Sequence, residues 1–189
     1  MNPPAGSWWS RLRRRRLPAD RLAALREVVG AEPRVLRWAE SDRGLVAALP
    51  DALAVDRGPE TGWELLGWHQ IEHGGWSGPD RLLQWTTVEG RRGQVRLVDP
   101  GRLPEVFRER VNATIVVQRD VTDAATGAEF TLSGRRALPG SGTTAGPTAL
   151  EWRVHLKRGT SASAPGVAEA TQRAMRELRR EYDISPHGC

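Results

Sequence analysis

The sequence is short of several residue types, and each shortage excludes a class of structure or site. Its only cysteine is Cys189, so neither an intramolecular disulfide nor a cysteine-built zinc site is available. It has no run of about 18 apolar residues, which excludes a membrane-spanning helix. It also lacks the GxxxxGK[ST] phosphate loop, the GxGxxG dinucleotide motif and the GxSxG nucleophile elbow. These motifs therefore identify no reaction.

What remains is typical of a globular protein. The chain has 189 residues, of which 39% are hydrophobic and 27% charged, enough for one ordinary domain or two small modules that share a core. Of the 28 basic residues only Lys157 is a lysine. Together with abundant alanine, glycine and proline, this indicates a GC-rich bacterial coding bias. The number of arginines is therefore weak evidence for phosphate recognition, although arginine suits that role.

The excess positive charge is concentrated at the start of the chain. The formal net charge is +5 and the pI about 10.7. Residues 1–16 contain Trp8 and Trp9 followed by five arginines: Arg11, Arg13, Arg14, Arg15 and Arg16. We call residues 1–16 the arm, and we expect it to be flexible because its first residues are rich in proline and glycine. No apolar segment follows the arginines, so we expect no signal peptide and a cytoplasmic location.

Three interpretations of the arm stay open. It could be an inert solvated tail. It could hold the protein at the inner face of the membrane, because indole rings favour the headgroup region and each arginine near an anionic leaflet contributes about 1 kcal/mol. It could also bind nucleic acid or another acidic partner.

The hydrophobic periodicity predicts an α+β fold in two units, residues 17–117 and 118–183, followed by a tail at 184–189. The first unit should contain a helix over 18–29, a strand meander and a capping helix with an apolar stripe at Leu103, Val106, Phe107 and Val111. We expect a break near Gly74 and Gly75. The predicted meander strands are 34–40, 45–49, 52–55, 63–66, 81–88 and 94–98.

The second unit should be a strand and helix extension packed on the first. Its predicted strands are 114–118, 130–137 and 149–156, and a final amphipathic helix runs from about Val167 to Tyr182. We expect the loop at 139–147 to lack regular structure.

Some of these segments resemble the small PH-like barrels of uncharacterised actinobacterial proteins. The resemblance rests on WHQI at 68–71 followed by Trp76, on PGRLP at 100–104 and on VNATIVV at 111–117. It covers roughly residues 34–117. It implies a split barrel of two antiparallel sheets capped by a helix, used more often for binding than for chemistry. It implies no activity, cofactor or catalytic residue.

The strongest motif for a chemical site is His69-Gln70-Ile71-Glu72-His73, which matches the inverted zinc-protease pattern HxxEH. In that pattern two histidines on one helix bind zinc and the glutamate activates water, and Glu151 could be sought as a third ligand. Glycines flank the segment on both sides and it lies within the predicted meander, so we do not expect the required helix. A zinc hydrolase at His69, Glu72 and His73 is therefore a remote alternative.

The chain has eight tryptophans but only two phenylalanines and one tyrosine. We expect the tryptophans between positions 34 and 117 to face one shared interior. Together, these features favour a non-enzymatic binding or scaffold module with no cofactor. Its partner would be a protein or an anionic membrane surface, and nucleic acid is the alternative.

Overall fold

A computed structural model describes residues 16–58, 60–140 and 150–183. This part of the chain is a mixed α+β fold with three antiparallel sheets and three α-helices. In chain order its elements are α1 (Ala19–Val29), β1 (Arg37–Ser41), β2 (Gly44–Ala48), β3 (Ala52–Asp56), β4 (Trp63–Gly67), a 3₁₀ turn (Trp68–Gln70), β5 (Ile71–Ser77), β6 (Leu82–Thr87), β7 (Arg92–Arg96), α2 (Leu103–Ala113), β8 (Ile115–Thr122), β9 (Glu129–Arg135), β10 (Glu151–Leu156) and α3 (Val167–Asp183).

Each sheet is built from strands that are neighbours in sequence. The first has the order β1-β2-β3-β4, the second β5-β6-β7 and the third β10-β9-β8. A single bridge between Ser41 and Leu97 joins the end of β1 to the residue after β7, and Asp42 donates its backbone N–H to the Arg96 carbonyl beside it. The first two sheets therefore meet at one corner, and the described strands do not close into a barrel.

The meander contains seven strands rather than the predicted six. The extra strand is β5, which runs through Gly74 and Gly75, where we expected a break. Gly74 serves packing rather than a turn, because a Cβ at this position would lie 2.5 Å from the ring of Phe107 on α2. The helix therefore approaches β5 closely only because this position has no side chain.

The first sheet is covered on both faces, so the expectation of one shared interior is wrong. On one face Trp68, Leu83 and Phe107 belong to a core between the first two sheets and α2. On the other face Trp63 packs in a separate cluster with Leu25 of α1. The indole N–H of the fully buried Trp68 donates to the Leu49 carbonyl at 2.9 Å, as a buried tryptophan requires.

The third sheet packs on α3 and has its own apolar cluster, which includes Phe130, Leu132 and Leu178. The turn between β8 and β9 is tied to α3 through Asp123. Its carboxylate accepts hydrogen bonds from Thr126 and, at 2.7 Å, from Arg173. These hydrogen bonds lower the pKa of Asp123, and the bond from Thr126 has the largest effect. Among the described residues, no helix is long and apolar enough to cross a membrane.

Candidate functional site

A β-bulge at the start of β5 directs two consecutive polar side chains toward one point. Ile71 pairs with Thr87 of β6, but His73 already pairs with Thr86, so Glu72 is the extra residue of the bulge. In a regular strand, neighbouring side chains point to opposite faces. The bulge breaks that alternation, and Glu72 and His73 can therefore contribute to the same cluster.

His155 of β10, in the third sheet, completes this cluster. Its Nδ1 lies 3.3 Å from Oε1 of Glu72, and its ring centroid lies 5.6 Å from that of His73. One ligand atom from each of the three side chains lies within 4.8 Å of the others. Glu72 and His155 are half-buried and His73 is exposed. We call Glu72, His73 and His155 the junction cluster.

Buried Arg135 of β9 holds the bulge against the third sheet. Its guanidinium donates to the carbonyl oxygen of Ile71 at 2.9 Å, to that of Glu72 at 3.2 Å and to the Thr114 hydroxyl at 3.1 Å. A bulge disrupts the strand ladder and leaves backbone groups in need of partners. Arg135 supplies these partners, and so fixes the backbone that carries Glu72.

The cluster favours a neutral imidazole at its centre. Burial lowers the pKa of His155 from its ordinary value, although the Glu72 carboxylate opposes this shift. The charges of His73 and Arg135 lower it further. The lowered pKa favours the neutral form of His155, in which a histidine nitrogen can bind a metal ion.

The structure separates the three residues of the HxxEH motif. His69 lies in the 3₁₀ turn, whereas Glu72 and His73 lie in β5, so no single helix carries them. His69 turns instead toward Glu151, with 3.8 Å between its Nε2 and Oε1 of the carboxylate. The residues predicted as one ligand set are thus divided, and His155, which the motif does not include, joins two of them.

A second feature, a cleft of about 780 Å3, lies beside the junction cluster and includes His73 in its lining. Arg43 from the β1–β2 turn, Arg57 after β3 and Arg92 of β7 line it, together with backbone and polar groups of β5, β6 and β7. None of its described lining residues is an aspartate or glutamate. We call this the basic cleft. Its charge suits an anionic group.

Two glycines shape the wall of the basic cleft around Trp85. Gly74 and Gly93 flank this residue on the two neighbouring strands. The indole of Trp85 lies across β7 in the space that a Cβ of Gly93 would fill. The tryptophan is thereby almost buried in the core while it still borders the cleft. It is a packing residue here, since its ring belongs to the core between the first two sheets and α2.

Sequence reasoning assigned no site role to His155 or Arg135, which connect the third sheet to β5. The available signal was composition, since the chain has only four histidines and three of them lie at this junction or beside it. The arm was singled out instead. Trp8, Trp9, Arg11, Arg13, Arg14 and Arg15 lie outside the described residues, and Arg16 is exposed. No protein-family model, curated protein or solved structure matches the chain.

Proposed function

We propose that this chain is a binding module that docks on an anionic membrane surface through the basic cleft, with the arm as a second contact. The observation that carries the proposal is the convergence of Arg43, Arg57 and Arg92 on one cleft that no described carboxylate lines. Arginine forms forked hydrogen bonds with phosphate oxygens, which suits a phosphate-bearing headgroup.

Two of these arginines are free to take a ligand. The side chains of Arg43 and Arg92 are exposed and form no ion pair with another described residue. Arg57 differs, because its Nε donates to Glu64 at 2.8 Å. We therefore expect Arg43 and Arg92 to provide most of the attraction, since Arg57 is already paired with Glu64.

A PH-like fold, which is used more often for binding than for chemistry, would favour a binding role. We propose that β1–β7 and α2 form a PH-like split barrel, on the basis of the four-strand sheet, the three-strand sheet and the helix that follows them. The described groups around the cleft are guanidinium, amide, hydroxyl and indole groups and one imidazole. This set suits recognition of an anion, and we accordingly propose binding rather than catalysis.

The test is co-sedimentation of the full chain with vesicles, comparing purely zwitterionic vesicles with vesicles that contain anionic lipid. We expect binding only to the anionic vesicles, weakened by salt. The double variant Arg43→Gln/Arg92→Gln should lose most of it. The charge-matched control Arg176→Gln/Arg179→Gln, on the exposed face of α3, should bind as the wild type does. Equal loss in both double variants would reduce the effect to net charge and overturn the cleft proposal.

Deletion of residues 1–16 separates the contribution of the arm from that of the cleft. We expect the truncated chain to bind anionic vesicles more weakly than the full chain. Unchanged binding would remove the arm from the proposal. Tighter binding to oligonucleotides than to vesicles, again dependent on Arg43 and Arg92, would replace the membrane with nucleic acid as the partner.

A further inference from the structure

We propose that the junction cluster binds one divalent transition-metal ion, of the zinc class, between Glu72, His73 and His155. The proposal is independent of membrane docking. It concerns a site built from both units of the chain, with two ligands on β5 and one on β10. Two imidazoles and one carboxylate form a donor set that suits zinc and its neighbours among the divalent metals.

The spacing of two of the three donors matches such an ion, and the third lies within 4.8 Å of both. Ligands at zinc bond lengths in a tetrahedral site lie about 3.4 Å from one another. The Nδ1 atom of His155 and Oε1 of Glu72 are already 3.3 Å apart. The third donor is the exposed His73, whose side chain can turn toward the ion without disturbing a packed core.

The surroundings hold two of the three ligands in place. Arg135 fixes the backbone of Glu72 through its bond to the carbonyl oxygen, which leaves the carboxylate free to bind a metal. His155 is half-buried on β10, a strand of the third sheet, which limits the movement of its ring. The positive charge of Arg135 opposes a cation nearby, so we expect an affinity below that of four-ligand structural zinc sites.

Three protein ligands leave a fourth position for water or another small ligand, as in zinc sites that are not purely structural. His73 belongs both to the junction cluster and to the lining of the basic cleft. The ion would also tie β5 to β10, and its binding should therefore stabilise the contact between the two units.

The test uses the metal-free full chain, produced without a histidine tag and compared with Cys189→Ser to exclude the terminal thiol. Calorimetric titration with Zn²⁺ should give one site per chain. Cobalt(II) in its place should give the visible absorption of a low-coordinate site. Since loss of outer-shell partners alone weakens metal binding about 10–100-fold, Glu72→Gln, His73→Asn and His155→Asn should each weaken it at least about tenfold.

The matched control is His69→Asn, which changes a histidine close by that faces Glu151 instead of the cluster. It should leave zinc affinity within about twofold of the wild type. The absence of a one-to-one site, binding that survives all three ligand substitutions, or an equal loss in His69→Asn would each overturn the proposal. If His155→Asn fails to fold, as judged by circular dichroism, the isosteric Glu72→Gln decides the matter.

Discussion

Replacing Arg135 by methionine tests whether the two units are joined by one buried guanidinium. The change removes three donated hydrogen bonds, those to the carbonyl oxygens of Ile71 and Glu72 and to the hydroxyl of Thr114. Each buried acceptor left without a donor costs about 1–3 kcal/mol. Methionine keeps the apolar packing of the arginine stem, so the polar loss dominates the measured effect.

Two effects make the expected loss of stability smaller than the summed cost of three unsatisfied acceptors. Burial lowers the pKa of Arg135, which means that its charged form is desolvated, and methionine avoids that cost. The Glu72 carbonyl is also only partly buried, so water can replace its lost donor. We therefore expect Arg135→Met to lower the free energy of unfolding by about 2–4 kcal/mol. Arg135→Lys, which keeps the charge and can reach one acceptor, should fall between methionine and the wild type.

The assay is urea denaturation followed both by tryptophan fluorescence and by far-ultraviolet circular dichroism. Arg136→Met is the matched control, since Arg136 is the exposed neighbour of Arg135 and should cost no more than about 0.5 kcal/mol. A value for Arg135→Met within about 0.5 kcal/mol of the wild type would refute the reasoning. Divergence of the two probes in that variant would show the units unfolding separately.

Three further predictions concern the stability of variants at Gly93, Trp68 and Asp123. Gly93→Ala places a methyl group against the Trp85 ring and should cost about 1–3 kcal/mol, whereas Gly75→Ala, with open space around its Cβ, should be close to neutral in the same urea assay. Trp68→Phe loses a buried hydrogen bond and leaves a void, so we expect a loss of about 2–4 kcal/mol by thermal unfolding. The folded-state pKa of Asp123 is lowered, so its contribution to stability is complete above about pH 4 and is lost as the pH falls through the lower folded value. Asp123→Asn should therefore flatten the acid side of a stability–pH profile, and an unchanged slope would contradict this.

The regular elements could be predicted because their signals are local. Alternation around β1 and short apolar runs between turn residues located the first three strands of the first sheet. The helical stripe at Leu103, Phe107 and Val111 located α2, where all three are buried. α3 followed from the same periodicity. These patterns depend on which face of an element is buried, and a short stretch of sequence records that directly.

The features that failed depend on contacts between distant segments. Glycine usually marks a break, but Gly74 lies within a strand because Phe107, far along the chain, needs its space. The bulge at Glu72 depends on the register with β6, which no local pattern fixes. His155 reads as an ordinary strand residue until the fold brings β10 to β5. The candidate site consists almost wholly of such contacts, which explains why its residues could not be assembled beforehand.

The bulge connects stability and metal binding in a way that single substitutions can separate. Arg135 bonds to the backbone of Glu72, whereas the proposed ion would bind the side chain. Glu72→Gln should accordingly abolish most zinc binding and leave the free energy of unfolding of the metal-free chain nearly unchanged. Arg135→Lys should reduce both zinc affinity and the free energy of unfolding, because the backbone that carries the Glu72 carboxylate then accepts fewer hydrogen bonds from residue 135. Glu72→Gln could instead destabilise the metal-free chain as much as Arg135→Lys does. The carboxylate would then help to hold β5 against the third sheet, and the structural role of the bulge could not be separated from metal binding.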